Sequence, residues 1–91
     1  MPITVRIPAP LRNLTNDEAK VLVDASTISE LIEGLESSYP GMKYRLVDEN
    51  GELRYFVNLY LNGEDVRFMS GVNTVVNSGD ELSIVPAVAG G

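Results

Sequence analysis

The group in this 91-residue chain best suited to covalent chemistry is the carboxylate of Gly91, presented behind Gly90. Glycine has no Cβ, so two in succession let the last backbone atoms extend or turn without steric penalty and enter a channel too narrow for a side chain. A carboxylate offered that way can be adenylated and then displaced by sulfur or by an amine. Two adjacent glycines also arise by chance at about 0.5% of positions for ordinary usage, so the pair needs support from the rest of the chain. Most other chemistries lack their residues. Cysteine and histidine are both absent, which removes thiol catalysis, disulfides, iron–sulfur ligation, ordinary zinc sites and any Ser-His-Asp machinery. Carboxylates remain as metal ligands, but none has the spacing of a calcium loop, and no metal site is expected. The adjacent acids Asp48-Glu49, Glu64-Asp65 and Asp80-Glu81 suit solvated turns better than general acid–base pairs, because no third group is suggested beside them.

Thirteen Asp/Glu against seven Lys/Arg leave a net charge of −6. Without a basic stripe to displace counterions, nucleic acid is not an expected partner; a basic protein surface is a reasonable one. At 91 residues there is room for one hydrophobic core. No apolar run reaches membrane-spanning length, and the opening Met1-Pro2-Ile3-Thr4-Val5-Arg6 lacks the layout of a signal peptide. A cytoplasmic protein with no membrane partner is expected.

The elements that must carry Gly91 can be read from periodicity. Ile3, Val5 and Ile7 alternate with Thr4, Arg6 and Pro8, the pattern of a half-buried strand ended by Pro8 and Pro10. Residues 11–17 read as a turn or wide loop, and Val21 and Val23 define a second strand over Lys20–Asp24. Thr27-x-x-Glu30 fits a capping box at a helix start. Ile28, Leu31, Ile32 and Leu35 then fall at i, i+3, i+4 and i+7, an apolar stripe that Tyr39 continues and Pro40-Gly41 stops. Gly34 lies off that stripe at a cost in helix propensity, with no reason visible in the sequence. A short helical turn follows at Met42–Leu46, then a turn at Glu49-Asn50-Gly51. Residues 55–61 predict a strand with Val57, Leu59 and Leu61 inward. Asn62-Gly63 signals a hairpin, with a short returning strand near 66–67. One helical turn is expected within 73–79, and a last strand over 82–86 with Leu82 and Ile84 inward. A hairpin, one long helix and further strands give an α+β domain, a mixed sheet wrapped over one helix. Pro86 cannot donate to a ladder, so pairing should stop there. The expected division is a folded body over 1–86 and a C-terminal Gly-Gly tail over 87–91. The six residues from Pro86 to Gly91 could span about 20 Å, enough to reach another protein's active site.

This element order, the Thr27-x-x-Glu30 helix and the ending Leu82-Ser83-Ile84-Val85-Pro86-Ala87-Val88-Ala89-Gly90-Gly91 together resemble the ubiquitin-like sulfur carriers of the MoaD/ThiS family. The resemblance covers essentially the whole chain. Two segments, Phe56 through Phe68 and Val85 through Gly91, are similar to its CysO-like branch, which serves cysteine biosynthesis. The resemblance implies a β-grasp (ubiquitin-like) fold and a cosubstrate rather than an enzyme. It implies that an E1-like adenylating enzyme, using ATP and Mg²⁺, activates Gly91, and that a sulfur donor converts the acyl-adenylate to a thiocarboxylate. No cofactor bound by the carrier itself is implied. The sulfur acceptor would be a cysteine synthase-like enzyme, with a metalloprotease releasing the product, or the large subunit of a molybdopterin synthase. Thiamine or tRNA sulfur transfer and conjugation to lysine as a ubiquitin-like modifier are the alternatives.

Within that reading Gly91 is the point of covalent attachment, and Gly90, Ala89 and Val88 give the tail its access. If the first, third and last strands are neighbours, outward-facing Arg6, Tyr60 and Val85 should gather into a partner-docking patch. Exposed Tyr and Val are also common on strands that dock nothing.

Overall fold

The computed structural model describes residues 2–86. They form β1 (Pro2–Arg6), β2 (Lys20–Asp24), α1 (Ile28–Ser38), α2 (Met42–Leu46), β3 (Val57–Leu61), β4 (Glu64–Asp65) and β5 (Glu81–Pro86), joined in places by 3₁₀ turns. The strands make one mixed sheet in the order β2-β1-β5-β3-β4. β1 is antiparallel to β2 and parallel to β5, and β3 is antiparallel to both β5 and β4. With α1 packed across one face, this is the β-grasp architecture. The tail over 87–91, including Gly91, Gly90, Ala89 and Val88, lies outside the described residues.

The period-2 and period-3.6 patterns converge on one core. Ile3, Val5, Val57, Leu59, Leu61, Leu82 and Ile84 from the sheet and Ile28, Leu31, Ile32 and Leu35 from α1 are each no more than 5% exposed. Thr27 caps α1 as the sequence suggests, its Oγ1 accepting from the Glu30 N–H at 3.2 Å. The return bond differs by one residue. Glu30 Oε1 accepts from the Ser26 N–H at 2.9 Å, and the Thr74 carbonyl takes the Ile28 N–H at 3.0 Å. The helix start is thereby tied to the segment that leads into β5.

Four boundaries differ from the sequence reading. β3 begins at Val57 and not at 55, because the Val57 N–H closes a turn onto the Arg54 carbonyl at 3.0 Å. β4 is Glu64–Asp65 and not 66–67. Asn62 and Gly63 both take positive φ, 53° and 89°, as a two-residue type I′ hairpin requires, so pairing resumes at once. Val66–Phe68 then forms a 3₁₀ turn, capped by Asp65 and burying Val66. The connecting helical turn sits at Gly71–Asn73, before 73–79, and the loop after β1 is a 3₁₀ helix over Ala9–Thr15.

Gly34 acquires its reason here. A Cβ at this position would stand 2.7 Å from Val23 Cγ1, so α1 approaches β2 too closely for any side chain. Alanine should gain about 1 kcal/mol of helix propensity but overpack a stiff, β-branched neighbour at about 1–3 kcal/mol. Gly34→Ala is therefore expected to lower stability by about 1 kcal/mol in urea denaturation, and adding Val23→Ala should cancel the steric part of that loss in a double-mutant cycle. A stabilised Gly34→Ala protein would show that the helix has room to move.

Candidate functional site

β5 delivers the chain toward its last residues, and its surroundings define what the described structure contributes to the site. It lies between β1 and β3, with Thr4, Val5 and Arg6 beside Glu81, Leu82 and Ser83 on one side. On the other, Val57 through Leu61 pair with Pro86 back to Leu82. The parallel partner therefore stops three residues short of Pro86, and only β3 accompanies the strand to its end. The start of β5 is fixed by Asn62 in the β3–β4 hairpin. Its Oδ1 accepts from the Glu81 N–H at 3.0 Å, its Nδ2 donates to Asp80 Oδ1 at 3.1 Å, and its N–H donates to the Glu81 carbonyl at 2.8 Å.

The sheet brings Arg6, Ser83 and Tyr60 into one cross-strand row. Val85 stands two residues further along β5, opposite Asn58 and not opposite Tyr60. Arg6 is not a lone cation: its Nε donates to Glu81 Oε1 at 2.8 Å, in an ion pair about half exposed on each side. Tyr60 is half-buried and Val85 is exposed.

The paired acids close turns. Asp48 Oδ1 accepts from the N–H groups of Asn50 and Glu52, Asp65 Oδ1 from that of Arg67, and Asp80 Oδ2 from that of Asn77. Among the described residues no group of three or more Asp/Glu could hold a metal, and every buried side-chain polar atom has a partner. A shallow hollow of about 300 Å³ between Glu52, Leu53, Arg67, Gly71 and Val72 holds one carboxylate, that of Glu52, and no second acid, base or nucleophile beside it. Its guanidinium is committed elsewhere, donating to Asn58 Oδ1 at 2.7 Å and to the Arg54 carbonyl. Of the two lysines, Lys43 donates to Glu33 Oε2 at 2.6 Å, and that hydrogen bond, with the charge of the carboxylate, raises its pKa above the ordinary 10.5. No helix among the described residues is long and apolar enough to cross a membrane.

Sequence reasoning missed a cluster of exposed aromatics beside the end of β5. Tyr55 and Phe56 precede Val57, the residue opposite Pro86, and their rings meet edge to face with centroids 5.3 Å apart at 86°. In the sequence they read as the start of the strand that carries Val57, Leu59 and Leu61, and nothing local marks the turn onto the Arg54 carbonyl that sets them outside it.

The family model described as the ThiS family matches residues 5–91. The sulfur carrier protein CysO of Mycobacterium tuberculosis is 44% identical over 93 residues, covering all of both chains. Small archaeal modifier protein 3 of Haloferax volcanii is 38% identical over 68 residues, 75% of this chain and 73% of that one. In a crystal structure of the BexX/CysO complex from Amycolatopsis orientalis, one chain superposes with a TM-score of 0.93 at 47% identity, covering 98% of this chain and 99% of that one.

The Arg6–Glu81 pair sits in high dielectric, where such contacts contribute less than about 1 kcal/mol. Arg6→Ala should thus leave the urea midpoint almost unchanged. A loss well above that figure would mean that the ion pair holds β1 to β5, and its removal could no longer be used to probe docking.

Proposed function

We infer that the protein is a sulfur carrier, and the premise is its family: the chain belongs to the ThiS family. The observation that carries the inference is the family match over residues 5–91, which takes in the Gly90-Gly91 pair. A carboxylate is a poor acyl donor because its leaving group is oxide. The Gly91 carboxylate attacks the α-phosphorus of ATP on an E1-like adenylating enzyme, in the presence of Mg²⁺, giving the acyl-adenylate and pyrophosphate. A sulfide equivalent adds to the acyl carbon, the C–O bond to AMP breaks, and Gly91 ends as a thiocarboxylate. The absence of cysteine and histidine suits this role, since the carrier is a cosubstrate and supplies no acid, base or thiol of its own.

The CysO similarity favours cysteine biosynthesis as the destination of the sulfur. There the thiocarboxylate would add to an aminoacrylate-type acceptor on a cysteine synthase-like enzyme, and a metalloprotease would free the amino acid and restore Gly91. Val88, Ala89 and Gly90 keep the approach to Gly91 narrow, and Arg6, Tyr60 and Val85 contribute to docking on the outer sheet face.

One observation favours a second reading, in which an amine captures the activated acyl group: the similarity to a small archaeal modifier protein. Intact-mass measurement on protein from cells separates the two. A carrier shows one carboxylate oxygen exchanged for sulfur. A modifier leaves branched peptides on lysines, and because Arg67 is the last basic residue, the tryptic remnant is residues 68–91 and not Gly-Gly.

Deleting Gly91, or adding one residue after it, is expected to abolish ATP–pyrophosphate exchange by the cognate adenylating enzyme while the urea midpoint stays unchanged. Exchange that continues with either variant would falsify the assignment of Gly91.

A further inference from the structure

We propose that the Tyr55–Phe56 ledge, together with Val85, is the surface on which the adenylating enzyme seats itself; this rests on the reading of Gly91 above. The reach of the chain is the first ground. The six residues from Pro86 to Gly91 span at most about 20 Å whatever their conformation. A protein that encloses Gly91 in a nucleotide-bearing site must therefore bring its own surface down to the rim around Pro86. On the β3 side that rim is Tyr55 and Phe56, next in the chain to Val57, which lies opposite Pro86.

Exposure is the second ground. Tyr55 is 91% exposed and Phe56 37%, stacked edge to face, with Val85 at 42% on the neighbouring strand. Neither ring belongs to the core cluster, and Tyr55 leaves nearly all of its surface in water. Clustered exposed aromatics mark interaction surfaces, and Tyr is among the side chains that most often dominate interface energetics.

Rigidity is the third. The Arg54 N–H donates to the Leu46 carbonyl at 3.0 Å and its Nε to the Tyr44 carbonyl at 2.7 Å, fixing the ledge to α2 from one side. From the other, the Arg67 guanidinium bridges Asn58 Oδ1 and the Arg54 carbonyl, which brings the turn bearing exposed Phe68 alongside. The ledge is thus held in place before any partner arrives, and little ordering is required on binding. The complementary partner offers an apolar hollow with a basic rim, matching the net charge of −6.

Leu22 supplies the control: it is 67% exposed but lies on β2, with β1 between it and β5. The test measures direct binding of the full chain to the adenylating enzyme, alongside ATP–pyrophosphate exchange. Tyr55→Ser/Phe56→Ser should weaken binding and raise KM for the carrier at least about tenfold, with kcat at saturation unchanged. Leu22→Ser should change neither. A chain lacking Gly91 should still bind, and should lose that binding when the ledge is removed, which separates the ledge from the chemistry of Gly91. Unaltered binding by a folded ledge variant overturns the proposal and leaves the Gly91 assignment standing. If the double variant unfolds, the single Tyr55→Ser variant decides by the same readouts. Self-association of the wild-type chain that disappears in the ledge variant, seen by sedimentation, would also overturn it, since the occupant would then be a second copy.

Discussion

Insertion of β5 between β1 and β3 is the pairing on which the rest of the molecule depends. Without it the sheet falls into two antiparallel hairpins, β1–β2 and β3–β4, each too small to be stable alone. A parallel neighbour cannot be reached by a tight turn, so the chain must travel through α1, α2 and β3 before closing onto β1. That order makes the last strand the middle strand. The consequence for function is geometric: the segment that leads to Gly91 is rooted in the centre of the sheet and not at a fraying edge.

Several contacts far from the site serve this one insertion. Ser26 and Ile28 bond to the segment around Thr74 and Val76, tying the helix start to the approach of β5. Asn62 anchors the first residues of β5 with three hydrogen bonds, so the hairpin turn does more than reverse the chain. Glu36 accepts from the N–H groups of Gly41 and Lys43, supplying the cap that α2 lacks at its own N-cap glycine. α2 in turn holds Arg54, and Arg54 begins the turn that raises Tyr55 and Phe56 beside Pro86.

The elements whose patterns are set by burial alone were legible in the sequence. Alternation at Ile3, Val5 and Ile7, the stripe from Ile28 to Leu35, and the inward residues of β3 and β5 all face the core as their spacing suggests. What escaped depends on partners distant in the chain. Gly34 is explained by Val23 on a neighbouring strand, a contact to which no local pattern points. The start of β3 is set by the turn at Arg54, which α2 holds through the Leu46 and Tyr44 carbonyls, and the length of β4 by the exact backbone of a two-residue turn. On the outer sheet face, the strand order that groups Arg6 and Tyr60 follows from the fold, but the Glu81 partner of Arg6 and the Tyr55–Phe56 ring contact do not.

A carrier of this kind divides labour in a way that its composition records. On the proposed reading the acyl group reacts only inside a partner, and a chain free of thiols and imidazoles offers few groups of its own to attack it. Of its two lysines, Lys43 is hydrogen-bonded to Glu33, which raises its pKa above the ordinary 10.5. On that same proposed reading the body has two tasks: to carry the residues that lead to Gly91, and to be recognised beside Pro86. A short arm couples these tasks, because any site deep enough to exclude water from Gly91 must also touch the rim around Pro86. Lengthening the arm would relax that coupling, whereas a span of about 20 Å would make the shape of the sheet's end part of the proposed specificity for an enzyme acting at Gly91.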